Sequence, residues 1–202
     1  MPKLKSYSNE HFVFNTNNKE ILFANNKDQK NYIKNRVDRI LSKEPETINW
    51  IKNFPKDSVF FDVGANIGIY TLYSAVMQQN KVFAFEISLS TMRVTNMHEG
   101  VASNIVGEKG DYYHGCTQLP LNFLVERKIL PQPDYIKIDV DGYEDKVIEG
   151  SMNVFQNAKE ILIEIDNKHI NYVAMIEALG FKLKSQHKRN EKEFNYIFTN
   201  GN

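Results

Sequence analysis

The stretch SVFFDVGANIGIYTLYSA, which runs from Ser58 to Ala75, decides the fold of this chain. It starts with an apolar run that ends in Asp62, continues through a turn that contains Gly64 and Gly68, and then takes on a helical pattern. A buried strand, a glycine-containing turn and a helix, in this order, are how α/β proteins cradle nucleotide cofactors. The stretch therefore predicts a cofactor site, and the acid at Asp62 indicates which cofactor it takes.

The turn is not built for a dinucleotide. Dinucleotide folds use G-x-G-x-x-G so that the backbone can approach the pyrophosphate, whereas this turn has only Gly64 and Gly68. Asp62, at the strand end, would face the pyrophosphate, where a carboxylate is electrostatically unfavourable. The same carboxylate suits S-adenosylmethionine, which carries a sulfonium and an α-ammonium group. We therefore predict S-adenosylmethionine as the cofactor.

The surrounding residues support this prediction. The two glycines let the backbone come close to a ligand, and Asn66 can hydrogen-bond the methionine end or hold the turn. The next strand, KVFAFE, ends in Glu86, 24 residues after Asp62 (86 − 62), where an acid accepts hydrogen bonds from ribose hydroxyls. The predicted cofactor-binding residues are Asp62, Gly64, Asn66, Gly68 and Glu86.

From Ser58 onward, segments with a strand pattern alternate with segments with a helix pattern. The strands are SVFFDV, KVFAFEI, DYIKIDV and EILIEID, and the helices are IGIYTLYSAVMQQ, PLNFLVERKIL, YEDKVIEGSMNVFQNA and NYVAMIEALGF. This alternation predicts an α/β fold with a doubly wound, mostly parallel sheet that is covered on both faces. FKLKSQ and FNYIFTN, joined by the charged turn HKRNEKE, predict an antiparallel pair at one edge.

Residues 1–44 are predicted to be an appendage to the main domain, which we place at 45–202. In the appendage, His11–Phe14 and Glu20–Ala24 have the pattern of a β-hairpin, and Asp28–Ser42 is polar and helix-prone. The main domain then opens with a short helix that carries Pro45 in its first turn.

Composition narrows the class of protein. The chain has 202 residues, of which 42% are hydrophobic, and this is enough for one domain with a substantial core. Its formal net charge is zero, so we expect no nucleic-acid partner. The single cysteine, Cys116, indicates a reducing compartment. The polar N-terminus and the lack of a 20-residue apolar run predict a soluble, cytoplasmic protein with no integral membrane segment.

Four motifs resemble the FkbM family of S-adenosylmethionine-dependent methyltransferases: FFDVGANIGIYTL, VFAFE, PDYIKIDVDGYEDKVIEGS and ILIEID. The most specific is IKIDVDGYE followed by VIEG, and the resemblance covers roughly residues 50–198. It implies the class I methyltransferase (Rossmann-like) fold, with a seven-stranded sheet whose last strand is antiparallel. It also implies O-methyl transfer to a hydroxyl of a sugar, glycolipid or small natural product.

The sequence departs from the family in two places. Ser88–Gly115 has no clear counterpart of the third strand and of the segment that normally helps enclose the adenine, so the sequence identifies no adenine-contacting residues. The family often has a Leu-Asp pair where this chain has Leu121-Asn122. We interpret Asn122 as an equivalent helix cap, because asparagine caps about as well as aspartate.

Three acids, Asp139, Asp141 and Glu144, follow the strand DYIKIDV at the edge where open α/β sheets bind ligands. Methyl transfer to a hydroxyl is an in-line displacement that needs an aligned acceptor and a group that takes its proton. Acids this close repel one another unless they bind something. We predict that Asp139 positions cofactor and acceptor and that Asp141 or Glu144 is the base. The alternative is that Asp141 and Glu144 only stabilise the start of the next helix.

Other functions remain open on the sequence alone. Asp139 with Asp166 and Asn167 is similar to the magnesium site of catechol-type methyltransferases, but polar strand ends are common and we predict no metal. The main alternative is a non-catalytic S-adenosylmethionine-binding module that regulates a partner. A nicotinamide-dependent oxidoreductase is disfavoured by Asp62. N-methylation is disfavoured because there is no Asn/Asp-Pro-Pro-aromatic motif.

Overall fold

A computed structural model describes residues 4–7, 11–16, 19–24, 30–86, 92–93, 105–106, 113–114 and 119–201. The first group of elements is a three-stranded antiparallel sheet of β1 (Leu4–Tyr7), β2 (His11–Thr16) and β3 (Lys19–Ala24). The predicted hairpin is β2–β3, and β1 adds a strand that the sequence pattern did not predict.

Two helices connect this sheet to the main sheet. They are α1 (Lys30–Asp38) and α2 (Pro45–Lys52). Pro45 occupies the first turn of α2, as predicted, where its missing N–H would have no intrahelical partner in any case.

Beyond α2, strands and helices alternate as the sequence predicts. The elements are β4 (Val59–Val63), α3 (Ile69–Leu72) with a π-helical turn at Tyr73–Met77, β5 (Lys81–Phe85), β6 (Met92–Arg93), β7 (Ile105–Val106), β8 (Tyr113–His114), α4 (Leu121–Glu126), β9 (Tyr135–Ile138), α5 (Glu144–Glu149), α6 (Met152–Gln156), β10 (Glu160–Asp166) with a 3-10 turn at Asn167–His169, α7 (Asn171–Ala178), β11 (Phe181–Lys188) and β12 (Glu193–Asn200).

The main sheet has the strand order β11-β12-β10-β9-β4-β5. Strands β10, β9, β4 and β5 are parallel, whereas β12 is antiparallel to both of its neighbours, β10 and β11. The predicted α/β fold, with a mostly parallel sheet and an antiparallel last strand, is confirmed. A seventh strand would fall in the Ser88–Gly115 region, most of which, like Cys116, lies outside the described residues.

Neighbouring side chains on a strand point to opposite faces of the sheet, and an apolar core lies against each face. On one face, Phe60 of β4 and Tyr135 of β9 pack with Trp50 of α2. On the other face, Phe61 and Ile136 pack with α4 to α7. Because neighbouring residues on a strand point to opposite faces, each polar side chain on β4 and β9 can be assigned to a face from its position alone.

The N-terminal sheet and α1 pack into the first of these cores. Phe12, Phe14 and Phe23 are buried in the same cluster as Trp50. Lys19 Nζ donates to the main-chain carbonyls of the π-helical turn, at 2.8 Å and 3.2 Å. The division between 1–44 and 45–202 stays a prediction, and the two parts share one apolar cluster.

The expected role of Asn122 as a helix cap is wrong. The residue that precedes α4 is Pro120, and Asn122 lies inside the helix. Its Oδ1 accepts a hydrogen bond from the Val154 N–H at 3.1 Å, so the side chain joins α4 to α6. The predicted continuous helix over 143–158 is also divided in two, since α5 ends at Glu149 and α6 begins at Met152.

Within the described ranges, no helix combines the length and the apolar character that crossing a bilayer requires.

Gly64 allows β4 to lie against the chain that follows β9. Its φ is +84°, and a Cβ at this position would lie 1.7 Å from the Asp139 carbonyl oxygen. Gly64→Ala should therefore lower the free energy of unfolding by about 3 kcal/mol or more, from backbone strain and overpacking together. Gly180→Ala is the matched control, because Gly180 has a φ of +96° but open space around its Cβ position.

Urea denaturation of both variants separates the two contributions. Gly180→Ala should cost only about 1 kcal/mol, from backbone strain alone. Equal losses in the two variants would mean that the contact with Asp139 is not what requires glycine at position 64.

Candidate functional site

The register of the sheet brings four charged side chains to one face at the carboxyl ends of the central strands. Asp62 of β4 lies directly opposite Lys137 of β9. Asp139 is two residues beyond Lys137 and therefore on the same face. On the next strand, Leu162 lies opposite Lys137, so Glu164 of β10 extends the same row.

Lys137 is the centre of this row. Its side chain is 1% exposed, and its Nζ lies 2.8 Å from Asp139 Oδ2 in a partly buried ion pair, in which the Asp139 side chain is 26% exposed. The same ammonium lies 5.1 Å from the centre of the Tyr70 ring, within cation–π range. A lysine this deep in a sheet is stable only where its charge is compensated, and here the carboxylates of Asp139 and Asp62 compensate it.

Protonation states follow from this pairing. Burial opposes the charge on Lys137, but the carboxylates of Asp139 and Asp62 outweigh burial and raise its pKa. Burial alone would raise the pKa of Asp139 as well, and the charge and hydrogen bond of Lys137 instead hold that pKa below its ordinary value. Burial does raise the pKa of Asp62, and Lys137 and Thr71 offset this only in part. Asp139 is therefore the more readily ionised of the two carboxyl groups.

The glycine-containing turn is held by main-chain contacts to the end of β5. The N–H groups of Gly64 and Ala65 both donate to the Phe85 carbonyl, at 2.7 Å and 3.0 Å. Gly68 has a φ of +76° and precedes the first residue of α3. Asn66 also has a positive φ, +53°, and its Oδ1 accepts from the Ile67 N–H at 2.9 Å. Asn66 therefore holds the turn, one of its two predicted roles.

Glu86 reaches back to the same turn. Its Oε2 accepts a hydrogen bond from the Asn66 N–H at 2.5 Å. Burial raises the pKa of Glu86, and that hydrogen bond partly offsets the effect. The side chain is nevertheless partly exposed, and the contact uses one of its two carboxylate oxygens. Glu86 therefore lies beside the turn, the place from which the sequence predicts that it binds the ribose of the cofactor.

A pocket opens beside this turn, on the face that carries Lys137. Gly64, Asn66 and Asp139 line one part of it, and Lys137 and Tyr70 line its floor. The remaining wall comes from α1 and the segment that follows it, which contribute Arg36, Arg39, Ile40, Lys43 and Glu44. The predicted cofactor turn and the predicted positioning residue Asp139 thus meet at one pocket.

Asp141 and Glu144 lie beside this pocket rather than in its lining. Asp141 is exposed and has a φ of +50°. Partial loss of hydration beside the neighbouring chain, followed by the charges of Asp139 and Glu144, raises the pKa of Asp141 to about 6. Glu144 is buried, and its Oε1 accepts from the Gly142 N–H at 3.2 Å. Glu144 thus holds its own loop, which supports the alternative interpretation for that residue, whereas Asp141 keeps the properties of a base.

A second ion-paired group supports the pocket from behind. Arg189 Nε lies 3.0 Å from Glu164 Oε2, and Arg189 Nη2 lies 2.8 Å from Glu44 Oε1. Burial and then the charge of Asp139 raise the pKa of Glu164 to about 7, and Arg189 partly offsets them. This group ties the β11–β12 end of the sheet to the start of α2.

The polar residues at the end of β10 have local roles. Asp166 Oδ1 accepts from the Lys168 N–H at 2.8 Å and so caps the 3-10 turn. In the part of the chain that the structure describes, no three His, Cys, Asp or Glu side chains come together as a metal-binding group.

The residues present fit S-adenosylmethionine. Asp62 Oδ1 is buried and has no hydrogen-bond partner among the described residues, so one carboxylate oxygen beneath the turn is still unsatisfied. Its other oxygen accepts from Thr71 Oγ1 at 2.6 Å. An unsatisfied carboxylate beneath a glycine-containing turn, with Glu86 at the rim, supplies the hydrogen-bond acceptors that a cationic ligand with a ribose needs.

Lys137 is the main residue that sequence reasoning missed. The only signal was a lysine inside the apolar run YIKIDV, where a buried strand has no place for an unpaired charge. Glu44 and Arg189 were also missed, because their pairing depends on segments that are far apart in the chain.

Lys137→Met tests the central ion pair. Removing the ammonium leaves the carboxylates of Asp62 and Asp139 uncompensated, so we expect a loss of about 3 kcal/mol in the free energy of unfolding at pH 8. The double variant Lys137→Met, Asp139→Asn should recover part of this loss. The control is Lys188→Met, an exposed lysine on β11. Additive effects in the double-mutant cycle would contradict the pairing.

Comparisons with known proteins agree with this geometry. The family model of the Methyltransferase FkbM domain matches residues 89–188. The hexuronic acid methyltransferase AglP of Haloferax volcanii is 26% identical over 137 residues, which are 54% of this chain and 56% of that protein. The matched region thus spans little more than half of this curated relative.

One solved structure shows the same fold, and a second is similar at a lower score. The M. jannaschii tRNA m1G37 methyltransferase has a TM-score of 0.51 at 9% identity and covers 98% of this chain and 59% of its own. A SAM-dependent methyltransferase from Aquifex aeolicus has a TM-score of 0.46 at 13% identity, over 79% of this chain and 91% of its own. The comparisons confirm the predicted family and, with it, S-adenosylmethionine as the cofactor. Residues 89–188 of the chain thus match the methyltransferase domain of the FkbM family.

Proposed function

We propose that the chain is an S-adenosylmethionine-dependent O-methyltransferase that acts on a hydroxyl of a sugar, glycolipid or hydroxylated small molecule. The observation that carries the proposal is the pocket where the glycine-containing turn meets Asp139, which Lys137 keeps ionised. The FkbM family match supports methyl transfer, and the name of the AglP relative supports a sugar as the acceptor.

In this proposal, one group of site residues binds the cofactor and another group binds and deprotonates the acceptor. Asp62 would hold the cationic end of S-adenosylmethionine, and Glu86 would hold its ribose. The main chain of the turn from Gly64 to Gly68 would contact the ligand. When bound, S-adenosylmethionine supplies a methyl group made electrophilic by its sulfonium. Everything else that the reaction needs must come from the chain: orientation of the hydroxyl and a place for its proton.

Asp139 and Asp141 suit different parts of that task. A carboxylate whose pKa is lowered accepts hydrogen bonds well but is a weak base, so Asp139 would orient the acceptor hydroxyl. Asp141, with a pKa of about 6, is closer to the optimum for a general base near neutral pH. Glu144, which the sequence offered as the other base, would keep the loop of Asp141 in place.

The other predicted properties stay predictions. The solved structures include tRNA methyltransferases, whose titles describe those proteins, and the zero net charge is the reason to expect no nucleic-acid partner here. A cytoplasmic location stays a prediction that rests on the single cysteine.

Asp139→Asn separates binding from turnover. We expect calorimetric affinity for S-adenosylhomocysteine to change less than about threefold, while S-adenosylhomocysteine release with a glycan and metabolite acceptor panel falls about 100-fold. Glu86→Gln should instead weaken cofactor binding about tenfold. Glu177→Gln, an exposed acid on α7, is the control.

The same experiment decides between the enzyme and a non-catalytic binding module. A module would bind the cofactor, show no turnover above background with the wild type, and be indifferent to Asp139→Asn.

The pH–rate profile tests Asp141. A base with a pKa of about 6 is ionised above pH 6, so kcat/KM should rise through that pH and then level off. Asp141→Asn should remove this acidic limb and lower the plateau about 100-fold. Asp145→Asn, on the first turn of α5, should keep the limb. An unchanged limb in Asp141→Asn would exclude Asp141 as the base.

A further inference from the structure

We infer that the methyl acceptor carries an anionic group, a carboxylate in its simplest form, which Arg36, Arg39 and Lys43 bind at the rim of the pocket. This inference rests on the proposed function and names the class of acceptor. It assigns a role to α1 and the segment after it, which the sequence indicated only as a polar appendage.

The three cations converge on the pocket that also holds Gly64 and Asp139. Arg36 lies in the last turn of α1, Arg39 is the residue just after the helix, and both line the pocket. Lys43 follows four residues later, in the segment that leads into α2. They therefore form one rim above the site where the acceptor hydroxyl would be oriented.

The arginines of this rim are not used for ion pairs inside the protein. Neither Arg36 nor Arg39 forms a salt bridge with any residue that the structure describes. Arg36 Nε donates to the Tyr32 hydroxyl at 3.1 Å, and its guanidinium lies 5.3 Å from the centre of that ring. The Tyr32 hydroxyl in turn donates to Asn66 Oδ1 at 3.1 Å, so the guanidinium is held in relation to the cofactor turn.

Lys43 lies in the positive field of these side chains. It is half-buried, and its Nζ lies 3.4 Å from Glu44 Oε1. Glu44 is shared with Arg189, which lies closer to it at 2.8 Å. Burial and then the charge of Arg36 lower the pKa of Lys43. An anion placed between Lys43 and Arg36 would relieve this repulsion.

The cofactor is the wrong partner for this rim. S-adenosylmethionine has two positive groups and one carboxylate, so it binds as a net cation, and Asp62 and Glu86 are its matching charges. The pocket lining itself has four cations, the rim residues plus Lys137, and two anions, Glu44 and Asp139, which leaves two positive charges in excess (4 − 2). Asp62 and Glu86 lie outside this lining and are assigned to the cofactor, so the excess positive charge of the lining is left for an anionic group of another molecule.

The pair of arginines suits a carboxylate in particular. A guanidinium offers parallel N–H donors that match the two oxygens of a carboxylate, and these charge-assisted contacts are strong where water is partly excluded. An acidic sugar would then place its carboxylate on the rim and a hydroxyl at Asp139. Arg36, Arg39 and Lys43 are therefore residues that determine specificity rather than catalytic residues.

The test compares two probes that differ only in this charge, 4-nitrophenyl β-D-glucuronide and 4-nitrophenyl β-D-glucoside. Their binding is measured by calorimetry on the full chain saturated with S-adenosylhomocysteine. We expect the glucuronide to bind at least tenfold more tightly than the glucoside and its affinity to fall with ionic strength. Arg36→Gln and Arg39→Gln should each weaken glucuronide binding roughly tenfold and leave the glucoside unchanged.

Lys34→Gln is the matched control, because it removes a positive charge from the same helix and Lys34 does not line the pocket. Arg36→Lys keeps the charge and serves as the second variant if Arg36→Gln does not fold, as judged by thermal unfolding. Because lysine lacks the paired donors, Arg36→Lys should weaken glucuronide binding by less than Arg36→Gln and leave glucoside binding unchanged.

Three results would overturn the inference. The first is equal affinity for the two probes, and the second is no glucuronide binding at millimolar concentration to the cofactor-saturated protein. The third is an equal loss of S-adenosylhomocysteine affinity in Arg36→Gln and Arg39→Gln, which would mean that the rim binds the cofactor's carboxylate. Failure of the proposed function would give a different result from failure of this inference. The wild type would then not bind S-adenosylhomocysteine, or would bind it without turnover.

Discussion

One buried ammonium, that of Lys137, determines how the rest of the site is arranged. It lies in the middle of a parallel sheet, 2.8 Å from Asp139 and opposite Asp62 in the strand register. Neither carboxylate would be stable at this depth as an anion without it, and the ammonium would not be stable without them. The three charges must therefore be retained together, and together they give the pocket an ionised acid that does not depend on solvent.

The fold builds this site from segments that are distant in the chain. The central strands supply the row of charges, the glycine-containing turn brings backbone amides beside it, and α1 closes the pocket with cations. Arg189, from the β11–β12 turn, pairs with both Glu164 and Glu44 and so connects the edge of the sheet to the start of α2. The concentration of raised and lowered pKa values at this one face is what a binding or catalytic site produces.

Much of this was predictable from the sequence, and the exceptions have physical reasons. The period-2 and helical patterns gave the order of strands and helices, and Asp62, Gly64, Asn66 and Asp139 were placed at the same edge by strand-end logic alone. Lys137 was not recognised, because a single lysine in an apolar run reveals its role only when the register shows the carboxylates beside it. Asn122 was misassigned because its partner, Val154, belongs to another helix.

A carbon-13 NMR titration of the Asp139 carboxyl group tests the central claim most directly, with Asp139→Asn to assign the signal. The protein would be studied with S-adenosylhomocysteine bound, so that the pocket is in its working state. We predict that Asp139 titrates below the pH at which an ordinary aspartate does, because Lys137 stabilises its charge. A midpoint at or above the ordinary value would mean that the ion pair does not keep this carboxylate ionised, and the account of the site would be wrong.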